Sequence, residues 1–342
     1  MEERIALTGI KPSGTVHLGN LLGAIKPGIE LTREYRAFYF IADYHALTTV
    51  HDPALLRRLS AEVAAAWIAL GLDLERAVVY RQSDVQETFE LAWILSCHTP
   101  KGLLNRAHAY KAAVAQNQEL GRTEDAGVNV GLFNYPLLMA ADILIVGSDV
   151  VPVGLDQKQH VEIARDVAKS FNKTFRPLLT EPRVLIRDSV KTVPGLDGRK
   201  MSKSYGNVIP LFADDKDLRR AVAQIKTDAA PPDAPKDPES STVFILYSHF
   251  APEEQVEEMR RRFVTGTIGY QDAKDALYRA LVDTLTEPRE RYAELLRDEA
   301  SLEEVLAEGA SAARSRAADL MAEIRDAVGV PRLRTTRPPL VS

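Results

Sequence analysis

Short apolar runs that alternate with helical stretches decide what this chain can fold into. Residues 5–10, 37–42 and 77–80 are almost wholly apolar and too short for helices, which suits strands buried on both faces. Between them lie Leu18, Leu21, Leu22, Ile25 and Ile29 at helical spacing, then an alanine-rich helix opening at Pro53 and running up to Gly71. A further helix is expected over residues 88–97. Pro27 and Gly28 interrupt the first helix, and the lost backbone hydrogen bond predicts a kink or an early end there. Strands separated by helices pair in parallel through right-handed crossovers, so the pattern predicts an α/β fold with a doubly wound parallel sheet. Such sheets take ligands beyond the carboxyl ends of their strands, at the point where strand order reverses. Residues 9–13, Asp43-Tyr44-His45 and Gln82-Ser83 fall at such ends, and Asp156-Gln157 follows another candidate strand over residues 149–153. Segments far apart in the chain therefore converge on one crevice.

Two of these segments describe a polyphosphate site. Pro12-Ser13-Gly14-Thr15-Val16-His17-Leu18-Gly19-Asn20 is a glycine-containing turn into a helix, whose first N–H groups and positive dipole end suit phosphate, with His17 as a neutral donor at its mouth. Nearly two hundred residues later, Arg199-Lys200-Met201-Ser202-Lys203-Ser204-Tyr205-Gly206-Asn207 supplies two ammonium groups, from Lys200 and Lys203. A polyphosphate gripped from both sides is the arrangement that stabilises charge on a departing pyrophosphate. Short glycine motifs recur by chance, but Lys-Met-Ser-Lys-Ser is far rarer.

At 342 residues the chain suggests two or three compact units, and a 45% hydrophobic fraction is ordinary for a protein with a buried core. The single cysteine, Cys97, rules out an intrachain disulfide; its apolar helical surroundings predict a buried, inert thiol. The charged start Met1-Glu2-Glu3-Arg4 does not read as a signal peptide, and no run reaches about 18 apolar residues, so no membrane span is expected and the cytoplasm is the default. A net charge of -5 argues against nucleic-acid binding through global charge. Arg260-Arg261-Arg262, Arg314, Arg316, Arg332, Arg334 and Arg337 are the candidates for a local basic face. Residues 98–134 interrupt the strand–helix pattern, and 110–134 reads as a loop within an inserted helical region, with Lys111 in a basic helix before it. After Ser204 the chain becomes helical. Residues 228–235 look like a linker, and apolar stripes at Ala273, Ala276, Leu277, Ala280, Leu281 and Leu285 and at Leu320, Met321, Ile324 and Val328 indicate a helical bundle.

The two phosphate motifs resemble the signatures of class I aminoacyl-tRNA synthetases: His17-Leu18-Gly19-Asn20 and Lys200-Met201-Ser202-Lys203-Ser204. Residues 135–144, Tyr-Pro-Leu-Leu-Met-Ala-Ala-Asp-Ile-Leu, and 151–160, Val-Pro-Val-Gly-Leu-Asp-Gln-Lys-Gln-His, are similar to the tryptophan and tyrosine branch of that family, and to its bacterial tryptophanyl members in particular. The resemblance extends from about residue 7 to about residue 328. It implies a Rossmann-like catalytic domain over 1–205 with a helical insertion at about 98–148 and a C-terminal helical domain over 206–330 that reads the tRNA anticodon; beyond it, the Pro/Arg/Thr composition of 331–342 has little to bury and reads as a flexible tail. The resemblance further implies ATP with nucleotide-bound Mg2+, no metal held by the protein itself, L-tryptophan, tRNA(Trp) and a homodimer.

Carried over residue by residue, the resemblance makes His17, Lys200 and Lys203 catalytic. It gives ATP binding to Lys11, Pro12, Ser13, Gly19, Asn20, Lys200, Met201, Ser202, Lys203 and Ser204, and tryptophan binding to Asp142, Met139, Tyr135, Gln157, His45 and Gly9. Asp142 sits among apolar neighbours on a helix, where an isolated carboxylate is costly to bury without a donor; an indole N–H would supply one. A site built that way rejects phenylalanine by about 10⁴-fold in favourable cases. Two departures stand out: Lys11 where many members carry glutamine, and Leu155 where a glutamate commonly precedes the Asp-Gln pair. A tyrosyl-tRNA synthetase is the closest rival, but its Gly-x-Asp-Gln-x-x-Asn pattern is not met, because His160 stands where that asparagine would fall. A paralogue with a regulatory or binding role would be expected to lose phosphate-binding groups, yet His17, Lys200 and Lys203 are all present.

Overall fold

Five parallel strands make one sheet in the order β3-β2-β1-β4-β5: β1 is Ile5–Ile10, β2 Arg36–Ile41, β3 Ala77–Arg81, β4 Val150–Pro152 and β5 Arg183–Leu185. The computed structural model describes residues 4–154, 157–186 and 193–330. Leu155, Asp156 and the tail over 331–342, with Arg332, Arg334 and Arg337, lie outside the described residues.

Alternation along β2 sends side chains into two separate cores, as the pleat requires. Ala37, Tyr39 and Ile41 join Val63, Trp67 and the C-terminal helix residues Leu277 and Leu281 on one face; Phe38, Phe40 and Ala42 join Leu91, Leu95, Leu137 and Phe171 on the other. The first face is covered by the helices Pro53–Ala69 and Tyr270–Arg297, the second by Glu87–His98, Val130–Ile145 and Lys158–Thr174. The sheet is therefore buried on both sides, which is why its strands read as continuous apolar runs. β1 is bonded to β2 on one side and to β4 on the other, so strand order reverses beside it and a crevice opens at its carboxyl end.

Pro27 does not end the first helix. The chain runs from Leu18–Asn20 through a π-helical stretch, Leu21–Ile25, into Lys26–Leu31. The wider turn admits the proline ring without breaking the helix. Residues 110–134 are also more regular than expected, with a helix over His108–Glu119 and another starting at Val130. Cys97 is exposed, because Glu87–His98 buries Thr88, Leu91 and Leu95 and turns Trp93, 72% exposed, and Cys97 outward.

The final helix, Glu299–Val328, returns to cover the free edge of β3. Gly309 makes this possible: a Cβ there would lie 1.8 Å from the Val79 carbonyl oxygen. Around that contact, Arg81 pairs with Glu303, Arg314 with Glu87, Arg325 with Glu90 and Arg176 with Asp326. Exposed pairs contribute little individually; the buried Ala310, Ala313, Ala317, Met321 and Ile324 hold the helix in place. Arg314 is thus occupied by Glu87, and Arg316 donates to the Val146 carbonyl. Arg260 and Arg261 pair with Glu239, Glu257 and Glu258, so these arginines form a charge-balanced surface. In the linker-like stretch, the buried Lys236 ammonium donates to the carbonyls of Pro231, Pro232 and Ala234, which pins the turn.

Candidate active site

Beyond the carboxyl end of β1 lies a groove of about 890 Å3, lined by both phosphate motifs. Its walls include Lys11, Ser13, Gly14, His17, Gly19 and Asn20 from the first motif, and Lys200, Met201, Ser202, Lys203 and Ser204 from the second. Pro12 is buried and does not line it. Main-chain bonds hold the motifs in register: the Leu18 N–H donates to the Ile209 carbonyl at 3.0 Å and the Leu211 N–H to the Val16 carbonyl at 3.0 Å. The Lys203 ammonium donates to the Gly14 carbonyl at 2.7 Å. Met201 is buried, with its sulfur 3.1 Å from the Gly19 N–H.

The imidazole of His17 is only 6% exposed. Burial, reinforced by the nearby positive charge of Lys203, lowers its pKa to about 4, so it is neutral at physiological pH. Burial also lowers the pKa of Lys203, opposed by the charge of Glu62. The second motif has an internal brace that the sequence did not single out. Asn207, buried, donates to Asp197 Oδ1 at 2.7 Å and to the Lys200 carbonyl at 3.1 Å, and accepts from the Ser202 N–H at 2.8 Å.

A second cavity, of about 410 Å3, adjoins the groove. Gly9, His45, Tyr135, Met139 and Gln157 line it with Leu7, Phe40, Leu132, Ile143 and Val153, giving an apolar chamber with a few polar groups. Gly9 is required by packing, since a Cβ there would lie 2.4 Å from the Phe40 ring. The Tyr135 hydroxyl is hydrogen-bonded to His160 Nε2 at 2.8 Å. Burial pushes the tyrosine's pKa up to about 12.

Asp142 stands one hydrogen bond behind the chamber wall. It is 3% exposed, 2.9 Å from His45 Nε2, and accepts from the Gln82 amide at 2.8 and 3.0 Å. Burial raises its pKa, opposed by those hydrogen bonds. It is therefore a buried mid-helix carboxylate with donors, reached from the chamber through His45. Gln82 and Thr48 complete this network and were not among the expected site residues; the only sequence signal was the position of Gln82 at a strand end. Lys111 is exposed on Helix His108–Glu119 and lines neither cavity.

A parallel sheet with a groove at its switch point and an apolar chamber beside it is the arrangement of a ligand-binding α/β fold. The family model described as tRNA synthetases class I (W and Y) matches residues 1–286, and the chain belongs to that family. It is 51% identical over 341 residues to the tryptophan–tRNA ligase of Pseudomonas aeruginosa, covering 98% of this chain and 75% of that protein. With the tryptophan–tRNA ligase of Neisseria meningitidis serogroup A it shares 46% identity over 333 residues, 96% of this chain and 99% of the other. Among solved structures, the tryptophanyl-tRNA synthetase of Campylobacter jejuni complexed with ADP and tryptophan superposes with a TM-score of 0.87 at 42% identity, covering 95% of this chain and 99% of that one.

Proposed function

We propose that this protein is a tryptophan–tRNA ligase. It activates L-tryptophan with ATP to tryptophanyl-AMP and pyrophosphate, then transfers the tryptophanyl group to the 3'-terminal adenosine of tRNA(Trp). The observation that carries this reading is the junction of an apolar chamber, backed by the Asp142 carboxylate, with a groove lined by His17, Lys200 and Lys203. Relatives of about half-identical sequence over nearly the whole chain support the choice of tryptophan.

The reaction needs no covalent enzyme intermediate, so position and charge compensation are the protein's work. The indole enters the apolar chamber, where Asp142 acts on its N–H through His45, which stands between them. Tyr135 and Gln157 take the substrate ammonium. ATP lies in the groove, with Lys11, Ser13, Gly19 and Asn20 on one side, and Met201, Ser202 and Ser204 on the other. Lys200 and Lys203 neutralise the departing pyrophosphate, and His17 donates to it as an uncharged group. Mg2+ travels with the nucleotide and supplies further positive charge at the phosphates. Among the described residues no group of three His, Cys, Asp or Glu side chains converges to hold a metal ion. The reading includes a homodimer acting in the cytoplasm, a catalytic domain over 1–205 and anticodon recognition by helices within 206–330. Among the described residues no helix is long and apolar enough to cross a membrane.

Charging assays with a tRNA(Trp) transcript test the reading. Tryptophan, and not tyrosine, should be esterified to the RNA; a protein that binds tryptophan yet charges no tRNA would be a binding paralogue instead.

A further inference from the structure

Among the described residues, Gly9, Lys11 and Gln157 line both the chamber and the groove, and Lys11 is the one of the three that carries a charge. Its ammonium donates to Thr48 Oγ1 at 2.9 Å, and the Thr48 hydroxyl donates in turn to the His45 carbonyl at 2.8 Å. One of its three donors is thus fixed by the chamber side, which aims the side chain at the seam. His17, Lys200 and Lys203 line the groove and not the chamber. Amino-acid activation places its reacting atoms at this seam, because the carboxylate belongs to the ligand in the chamber and the α-phosphorus to the ligand in the groove.

We propose that Lys11 is a catalytic residue whose ammonium donates to a non-bridging α-phosphoryl oxygen during activation. A tryptophan carboxylate oxygen bonds to the α-phosphorus while the bond to the bridging oxygen breaks, and pyrophosphate leaves with that electron pair. No proton changes hands. Lys11 compensates charge on the transferring group, and His17, Lys200 and Lys203 compensate it on the leaving group. Burial lowers the ammonium's pKa, in keeping with a partly desolvated cation, whose field acts more strongly than in water. The proposal rests on the tryptophan–tRNA ligase reading.

The test compares the full-length wild type with Lys11→Met, Lys11→Gln and Lys11→Arg, using tryptophan-dependent pyrophosphate exchange for kcat and equilibrium dialysis for tryptophan Kd. The methionine and glutamine variants should lose about 100-fold in kcat with Kd changed less than about threefold, and the arginine variant should return to within about tenfold of wild type. An unchanged kcat in either neutral variant overturns the proposal, as does a loss confined to tryptophan affinity. Should the methionine variant not fold, the glutamine variant, which keeps a polar partner for Thr48, decides the question. A wild type inactive with tryptophan sinks the functional reading itself, whereas an active wild type matched by its neutral variants sinks this inference alone.

Discussion

The ammonium of Lys203 donates to the main-chain carbonyl of Gly14 at 2.7 Å, across 189 positions of sequence. Gly14 adopts a φ of 143°, and a Cβ there would sit 3.1 Å from the lysine stem, so the contact needs glycine both for its backbone conformation and for its lack of a side chain. The two halves of the groove thus meet directly, through a group from each phosphate motif.

Lys203→Ala should lower the rate of tryptophan-dependent pyrophosphate exchange by about 10²–10³-fold, because the charge it offsets develops only as pyrophosphate departs. Tryptophan affinity should stay within about threefold of wild type. Equal losses in rate and affinity would contradict the role given to this lysine.

His17 should remain neutral well below the ordinary histidine range, its pKa being lowered to about 4 by burial and by Lys203. The unfolded chain takes up a proton near 6.5, which the folded site refuses. This group's contribution to stability is therefore present above about pH 6.5 and is lost as the pH falls towards 4. An NMR titration of the His17 ring checks this: a midpoint near 6.5 would remove the neutral-donor assignment.

Asp142→Ala would leave the Gln82 amide and the His45 ring without their buried acceptor. A loss of about 2–4 kcal/mol in urea-unfolding free energy is expected, together with a higher KM for tryptophan. A loss below about 0.5 kcal/mol would show that the network contributes no stability.

Gly309→Val places side-chain atoms where the Val79 carbonyl already lies. The last helix must then move off β3, and urea unfolding should report a destabilisation of about 2–4 kcal/mol. An undiminished unfolding midpoint would mean that the helix is not seated on this edge.

The strand pattern was legible because apolar runs buried on both faces leave few alternatives; β1 spans the six residues expected of it. β5 escaped notice because it is a three-residue edge strand beginning at the exposed Arg183. The exposure of Cys97 was hidden for a different reason: residues 91–97 are nearly all apolar, so periodicity does not tell which side of the helix faces water, and tertiary packing turns Trp93 and Cys97 out. In the site, the runs that carry His17, Lys200 and Lys203 were readable as local motifs, and the structure brings them to one groove. Gln82, Thr48 and Asn207 were not, since polar residues at strand ends and turns are common and their partners lie up to 60 positions away. The place of Asp142 behind His45, and not on the chamber surface, depends on the packing of the Val130–Ile145 helix against the sheet, which no local pattern encodes.

ATP–pyrophosphate exchange, measured separately with each of the common amino acids, tests the central claim most directly. Tryptophan should support rapid exchange, with phenylalanine, which offers no donor to the buried acceptor, lower by about 10⁴-fold. Exchange driven equally well by tyrosine, or by no amino acid at all, would contradict the account.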